Sequence, residues 1–199
     1  TTTPLTAGIP GIFAFLFRRK PFVFEVRDSW PELPKAMGVI KNPVVLWLMS
    51  VLEWTSYHSA DRLVGLSPGI VEGIVKRGID PEKVASIPNG CDLDIFATDH
   101  QSWRPEQVSG NDLMAIFTGT HGLANGLDAV IDAAVELQKR GRNDIKLVLV
   151  GDGMQKKPLI ASAQQLELTN VVFHEPVNKN KLAALMASAD IGLQILANI

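Results

Sequence analysis

The stretch FTGTHGLANGLDAV, residues 117–130, runs from apolar positions into a loop holding Gly119, Gly122 and Gly126, and leaves it as an apolar-periodic helix. Strand, glycine loop and helix in that order open an α/β unit. Such a loop sets backbone N–H groups and the positive end of a helix at the carboxyl edge of a parallel sheet, where anions bind. The glycines are three and four positions apart, which is neither GxGxxG nor GxxxxGKS. On these grounds the loop serves equally well as a phosphate cradle or as a tight turn. Downstream, LVLVGDGMQKKPL repeats the anatomy, with Gly151, Asp152 and Gly153 in a turn and Lys156 and Lys157 close behind. Two such loops on one sheet could frame a nucleotide, or could simply be two βα turns needing positive φ.

Outward from these loops the chain alternates. Residues 21–26, 62–67, 83–88, 113–119, 145–151, 170–175 and 190–196 read as short apolar or β-branched strands, with helical stretches between most of them. Near-continuous apolar strands interleaved with helices predict an α/β fold with parallel sheets covered on both faces. Ser67-Pro68 supplies an N-cap with Pro at the first helical position, and Gly78 stands where a C-cap glycine belongs. Leu127, Val130, Ile131, Ala134, Val135 and Leu137 fall at helical spacing, with Gly141 as the stop. Between Asn89 and Asn111 the pattern dissolves into a segment rich in Asn, Gly, Asp, Ser and Pro, as in a linker. The expected organisation is a first domain over 1–92, a linker over 93–110 and a second domain over 111–199.

Nineteen basic and twenty-one acidic residues give a formal charge of −2, which supplies no footprint for nucleic acid. The single Cys91 excludes an internal disulfide and a thiolate zinc cage and is simplest in a reducing compartment, so a cytoplasmic location is expected. No pair of histidines has ligand spacing with a carboxylate, and no metal site is expected. Two apolar runs, LTAGIPGIFAFLF before Arg18-Arg19-Lys20 and PVVLWLMSVL over 43–52, are too short to span a bilayer, which takes about 20 residues. They read as buried helices. The other reading is that Phe13, Phe15 and Phe17 beside the basic triplet make a shallow interfacial anchor, a peripheral contact with the inner surface of a membrane.

Taken in order, ADRLVGLSPGIVEGIVKRGIDPEKVASIPNGCDLDIF, AIFTGTHGLANGLDAVIDAA and the stretch from KLVLVGDG through NVVFHEPV to ADIGL resemble the middle of a family 4 glycosyltransferase of the retaining GT-B type. The match includes Asn89, Gly90, Asp94 and Phe96, the pattern that marks the crossing between that family's two Rossmann-like domains. The resemblance implies an enzyme that takes a sugar from a nucleotide-diphosphate donor held by the second domain, with the acceptor on the first, no metal and no further cofactor. Gly119 matches the glycine at the donor diphosphate, and Thr120, His121, Gly122 and Asn125 lie in the loop around it. Gly153 belongs to the second glycine turn. Phe173, Glu175 and Val177 fall in the segment whose backbone usually meets the nucleotide base. EVRDSWPE matches the cleft strand of the first domain, making Arg27 and Asp28 the candidate catalytic residues.

Departures from the family pattern are informative. Thr120 and Asn125 stand where an Arg and a Lys commonly neutralise the diphosphate, so backbone N–H groups, a helix end and some other cation must do so here. VRDSWPE together with GTHGLANGLD looks like the branch that adds amino- or deoxy-sugars to lipid-linked saccharides in bacterial lipopolysaccharide, O-antigen or capsule assembly. The chain begins without Met and stops on a strand, before the family's Glu-rich motif, so both domains are expected to be incomplete and the 199 residues alone inactive. A non-catalytic nucleotide-sugar-binding module and a ligand-free Rossmann-like interaction domain are the other readings.

Among single residues, Arg27 either faces a phosphate or pairs with Asp28 or Glu32, and Asp28 is equally a turn residue. His121 reads as a solvated loop histidine or a phosphate donor near its ordinary titration range. His58 and His174 read as structural, Lys156 and Lys157 as solvated, and Trp30 and Trp103 as packing residues.

Overall fold

A computed structural model describes residues 4–97 and 99–197. The first three threonines, Thr98 and the last two residues fall outside the described residues. By its internal contacts the chain divides into two units, meeting between Gly90 and Cys91.

The first unit carries a three-stranded parallel sheet of β1 (Val23–Val26), β2 (Arg62–Gly65) and β3 (Val84–Ser86), in that order. Helices α1 (Gly8–Arg18), α2 (Glu32–Ala36), α3 (Pro43–Ser59) and α4 (Pro68–Lys76) precede or link them. Phe24, Val26 and Leu63 point to one face and pack with Tyr57 of α3 and Ile74 of α4. Helix starts are set by side chains: Asn42 accepts from the N–H of Val44 at 2.9 Å, and Ser67 from that of Ile70 at 3.3 Å. The opposite sheet face differs from the expected two-sided cover. There Val23, Glu25, Val64, Leu66 and Ile87 line an open concavity of about 450 Å³.

The second unit holds β4 (Leu113–Thr118), β5 (Ile145–Val150), β6 (Val171–His174) and β7 (Ile191–Gly192) in one parallel sheet, ordered β6-β5-β4-β7. Both faces are covered, which is why β4 and β5 are almost wholly buried. Ala115, Phe117, Leu147 and Leu149 face α6 (Asp128–Lys139) and α7 (Lys156–Gln165). Met114, Ile116, Val148 and Val150 face Leu185 of α8 (Lys179–Ala187) together with Trp103 and Val108. Strand order reverses direction beside β4, so the carboxyl edge between β4 and β7 is a topological switch point.

All seven expected strands are present, each shorter than expected. The seventh is shortest: Ile191 and Gly192 pair with β4, Leu193 still donates to the Ile116 carbonyl at 2.7 Å, and the chain then leaves the sheet. Residues 93–110 carry more structure than a linker. Leu93–Phe96 form a short helix, α5. Arg104 donates to the carbonyls of Asp112 (2.7 Å) and Ser188 (2.9 Å) and pairs with Asp190 at 3.1 Å, fixing the segment against the second sheet.

A charged cluster with Glu53 as its buried member lies in the first unit. Arg77 reaches Glu32 at 2.7 Å and Glu53 at 2.8 Å, beside a cavity of about 380 Å³ that Tyr57 and Ser29 also line. Burial pushes the Glu53 carboxyl up to about 7 although Arg77 opposes the shift, and Glu32 adds to it. The folded chain therefore holds a proton that the unfolded chain has released. The stabilisation is present in full below the ordinary Glu range and is lost as pH rises through about 7. Glu53→Gln should flatten that slope, gaining roughly 3 kcal/mol relative to the wild type between pH 5 and pH 8. Denaturant unfolding at each pH measures it, and parallel curves for the two proteins refute the assignment.

Candidate functional site

The carboxyl edge of the second sheet is built by two loops lying backbone on backbone. After β4 the chain passes through Gly119 to His121, and after β5 through Gly151 to Gly153. Gly119 donates to Val150 at 3.0 Å, His121 N–H to the Asp152 carbonyl at 2.8 Å, and Gln155 N–H to the His121 carbonyl at 2.9 Å. The approach leaves no room for side chains. A Cβ on Gly151, whose φ is +146°, would sit 1.9 Å from the Gly119 carbonyl oxygen, and one on Gly153 2.5 Å from that of His121. These glycines are there for close backbone approach rather than for the turn alone.

Two cavities flank the β4 loop. One, of about 420 Å³, opens at the ends of β4, β5 and β6 and is lined by Gly119, Thr120, Gly151, Asp152, Pro176 and Val177, among others. The second, about 330 Å³, lies at the switch point between Gly119, Thr120 and Asn125 on one side and residues 193–196 on the other. No Lys or Arg lines either cavity among the described residues. Asn125 turns its amide back onto the Thr120 carbonyl, holding the loop in a closed arc. A 3-10 turn over Leu123–Asn125 separates the loop from α6.

The sequence-predicted residues divide into those that line the cavities and those that hold them. Gly119, Thr120, Asn125 and Val177 are wall residues. Gly122 and Gly153 lie in the two loops without lining either cavity, and Gly153 backs onto His121. Phe173 packs inward against the sheet core, and Glu175 is exposed on the rim.

His121 corrects the solvated-loop reading. It is fully buried, with its ring beside Phe117 and Phe173 and neither ring nitrogen hydrogen-bonded among the described residues. Burial lowers its pKa, and the positive charge of Lys156 lowers it further. A neutral imidazole therefore plugs the space behind the loop and does not reach either cavity as a cation. Lys156 corrects the other solvated reading. Only 8% of its side chain is exposed, and its ammonium donates to the carbonyls of Gly151 (2.9 Å) and His174 (3.3 Å) and to Glu175 at 2.7 Å. It ties the ends of β5 and β6 together beneath the larger cavity. Lys157 is exposed. Adjacent lysines gave no sign of which one was buried; the helical register after a GDG turn is the signal that could have found it.

In the first unit Arg27 and Asp28 follow β1. Arg27 pairs with Glu25 at 3.2 Å and donates to Asn89 at 3.2 Å, so it braces the end of β1 against the segment after β3, while Glu32 takes Arg77. Among the described residues no group of His, Cys, Asp and Glu could hold a metal ion, and no helix is long and apolar enough to cross a membrane.

Comparison with known proteins settles the family. The family described as "Glycosyl transferase 4-like domain" matches residues 1–90, and "Glycosyl transferases group 1" matches residues 99–194. The chain belongs to these glycosyltransferases. WcaI of Escherichia coli strain K12, named as a colanic acid biosynthesis glycosyl transferase, is 26% identical over 185 residues, covering 87% of this glycosyltransferase chain and 44% of WcaI. Among solved structures, Anabaena Alr3699/HepE in complex with UDP and glucose aligns with a TM-score of 0.72 at 19% identity, over 96% of this chain and 50% of that one. WaaG, a glycosyltransferase involved in lipopolysaccharide biosynthesis, aligns at 0.68 with 20% identity, over 87% and 50%. These likenesses carry the fold, two Rossmann-like parallel-sheet units of GT-B type. The chain spans about half the length of these relatives.

The close approach at Gly151 makes a sharp prediction. Gly151→Ala should cost about 2–4 kcal/mol of unfolding free energy by forcing the two loops apart. Gly141→Ala, at a glycine with φ +69° and open space around it, should cost only about 1 kcal/mol. Urea unfolding of both variants tests this, and equal losses would contradict the backbone-contact argument.

Proposed function

We propose that the protein transfers a sugar from a nucleoside-diphosphate donor, bound by the second unit, to a lipid-linked saccharide acceptor in bacterial surface polysaccharide assembly, with retention at the anomeric carbon. The observation that carries this reading is the larger cavity at the carboxyl ends of β4, β5 and β6, walled by backbone of Gly119, Thr120, Gly151 and Asp152. Solved proteins of the same fold are complexes with UDP and with UDP-glucose, which supports a uridine donor. WcaI and WaaG are named for colanic acid and lipopolysaccharide synthesis, which supports the acceptor class.

In this reaction the bond from the anomeric carbon to the diphosphate oxygen breaks, and its electron pair stays on the diphosphate. The acceptor hydroxyl forms the new bond on the same face of the sugar and passes its proton to the departing oxygen. The protein's contribution is to stabilise the charge that develops on the diphosphate. The loop N–H group at Thr120 serves here, since the Gly119 N–H is taken by the Val150 carbonyl and the Thr120 and Asn125 side chains bring no charge. The backbone at Phe173, Glu175 and Val177 flanks the nucleoside end in this reading, and Arg27 and Asp28 are the residues of the first unit assigned to the reacting groups.

Calorimetric titration of the intact protein with UDP, GDP and their sugars tests the donor site. Saturable binding of one nucleoside diphosphate is expected, weakened tenfold or more in Val177→Asp, which sets a carboxylate in the cavity wall. Absence of saturable heat with every nucleotide overturns the reading. Binding without sugar transfer to a lipid-linked saccharide would instead identify a non-catalytic nucleotide-sugar-binding protein.

A further inference from the structure

Helix α3 is built inside out. The side it turns to the sheet carries Glu53, Ser56 and Tyr57, all nearly or wholly buried, while Val44, Trp47, Leu48, Val51 and Trp54 form one stripe at helical spacing on the solvent side. Trp47 is 63% exposed and Trp54 53%. Helix α1 packs against α3 and presents a second outward stripe of Ile9, Phe13, Leu16 and Phe17, the last 74% exposed, with Phe13 and Phe17 stacked at 5.4 Å. Single exposed apolar residues need no explanation, but a stripe on each of two helices packed together does.

Charge on these segments has one sign. Residues 1–24 and 37–52 contain Arg18, Arg19, Lys20 and Lys41 and not one Asp or Glu. The basic triplet directly follows Phe17 at the end of α1, and all three side chains are exposed. Glu53, beside Trp54, is turned inward to Arg77, so the outward stripes of Trp and Phe are bordered by cations; this matches an anionic bilayer surface, where rings enter the headgroup boundary and cations meet the phosphates. Neither helix can cross a bilayer, so the contact is one of lying on the surface.

We infer that the outward faces of α1 and α3 form a docking surface for an anionic lipid bilayer, with Phe13, Phe17, Trp47 and Trp54 as the inserted groups and Arg18, Arg19 and Lys20 as the headgroup contacts. The surface belongs to the first unit and is independent of the donor cavity, so it can be tested without sugar transfer.

The test is co-sedimentation of the intact protein with vesicles of phosphatidylcholine alone or with 40% phosphatidylglycerol at low and high salt. Binding to the anionic vesicles is expected, weakened by salt. A cation near such a surface contributes about fivefold to partitioning, so changing Arg18, Arg19 and Lys20 together to Ser should weaken binding by about two orders of magnitude. Trp47→Ser with Trp54→Ser should weaken it at least tenfold at unchanged thermal stability. The inference fails if the wild type pellets with neither vesicle, or if the variants pellet as the wild type does. It also fails if the Trp variant melts well below the wild type, which means the face is packed inside the intact protein. A wild-type dimer by light scattering that the Trp variant splits would assign the face to a second copy instead.

Discussion

The second unit depends on the contact between the Gly119–His121 backbone and the Gly151–Gly153 turn. Three hydrogen bonds between 2.8 and 3.0 Å join the two loops, and two missing Cβ atoms make the approach possible. Everything else at the carboxyl edge follows from it. His121, drawn inward by its main-chain bond to Asp152, fills the space behind the loop with an uncharged ring. Lys156 takes up the Gly151 carbonyl on the far side and the β6 end with it. The cavity wall is thereby made of main chain whose position is fixed from two directions.

A rigid backbone wall has an electrostatic consequence. Cationic side chains stabilise a leaving diphosphate by Coulomb attraction but must be held in place, whereas preorganised N–H dipoles need no reorganisation as charge develops. Here Thr120 and Asn125 bring no charge to the loop, and Asn125 spends its amide on the Thr120 carbonyl. Lys156 is the nearest buried cation in this region, yet its three donors are spent on two carbonyls and a carboxylate. Its role is to position the turn, and its charge acts at a distance by disfavouring protonation of His121.

Much of this architecture was legible in the sequence, for reasons that differ by residue. The β4 and β5 strands were clear because a parallel strand buried on both faces is continuously apolar there, and residues 114–117 and 147–150 are that. Ser67-Pro68 fixed the start of α4 because capping is local chemistry. What stayed hidden depends on tertiary placement. A histidine between glycines reads as solvated, and only the partner loop shows that His121 is enclosed. Likewise the Asp, Ser, Pro and Gly of residues 93–110 suggest a linker, and only Ser188, Asp190 and the carbonyls around them reveal where Arg104 and Trp103 are held.

Helix α3 illustrates a limit of the apolar-inside rule. Its continuous apolar run reads as a buried helix, which would turn Trp47, Leu48 and Val51 to the sheet and Glu53 and Ser56 outward. The opposite rotation is stable because Glu53 meets Arg77, Ser56 donates to the Leu52 carbonyl at 2.8 Å, and Tyr57 joins the core at Phe24. Those contacts lower the cost of burying polar groups without removing it, since burial still lifts the Glu53 carboxyl to about 7. A helix that keeps a desolvated carboxyl group inside and two tryptophans outside gains from that orientation where its outer face has an apolar neighbour.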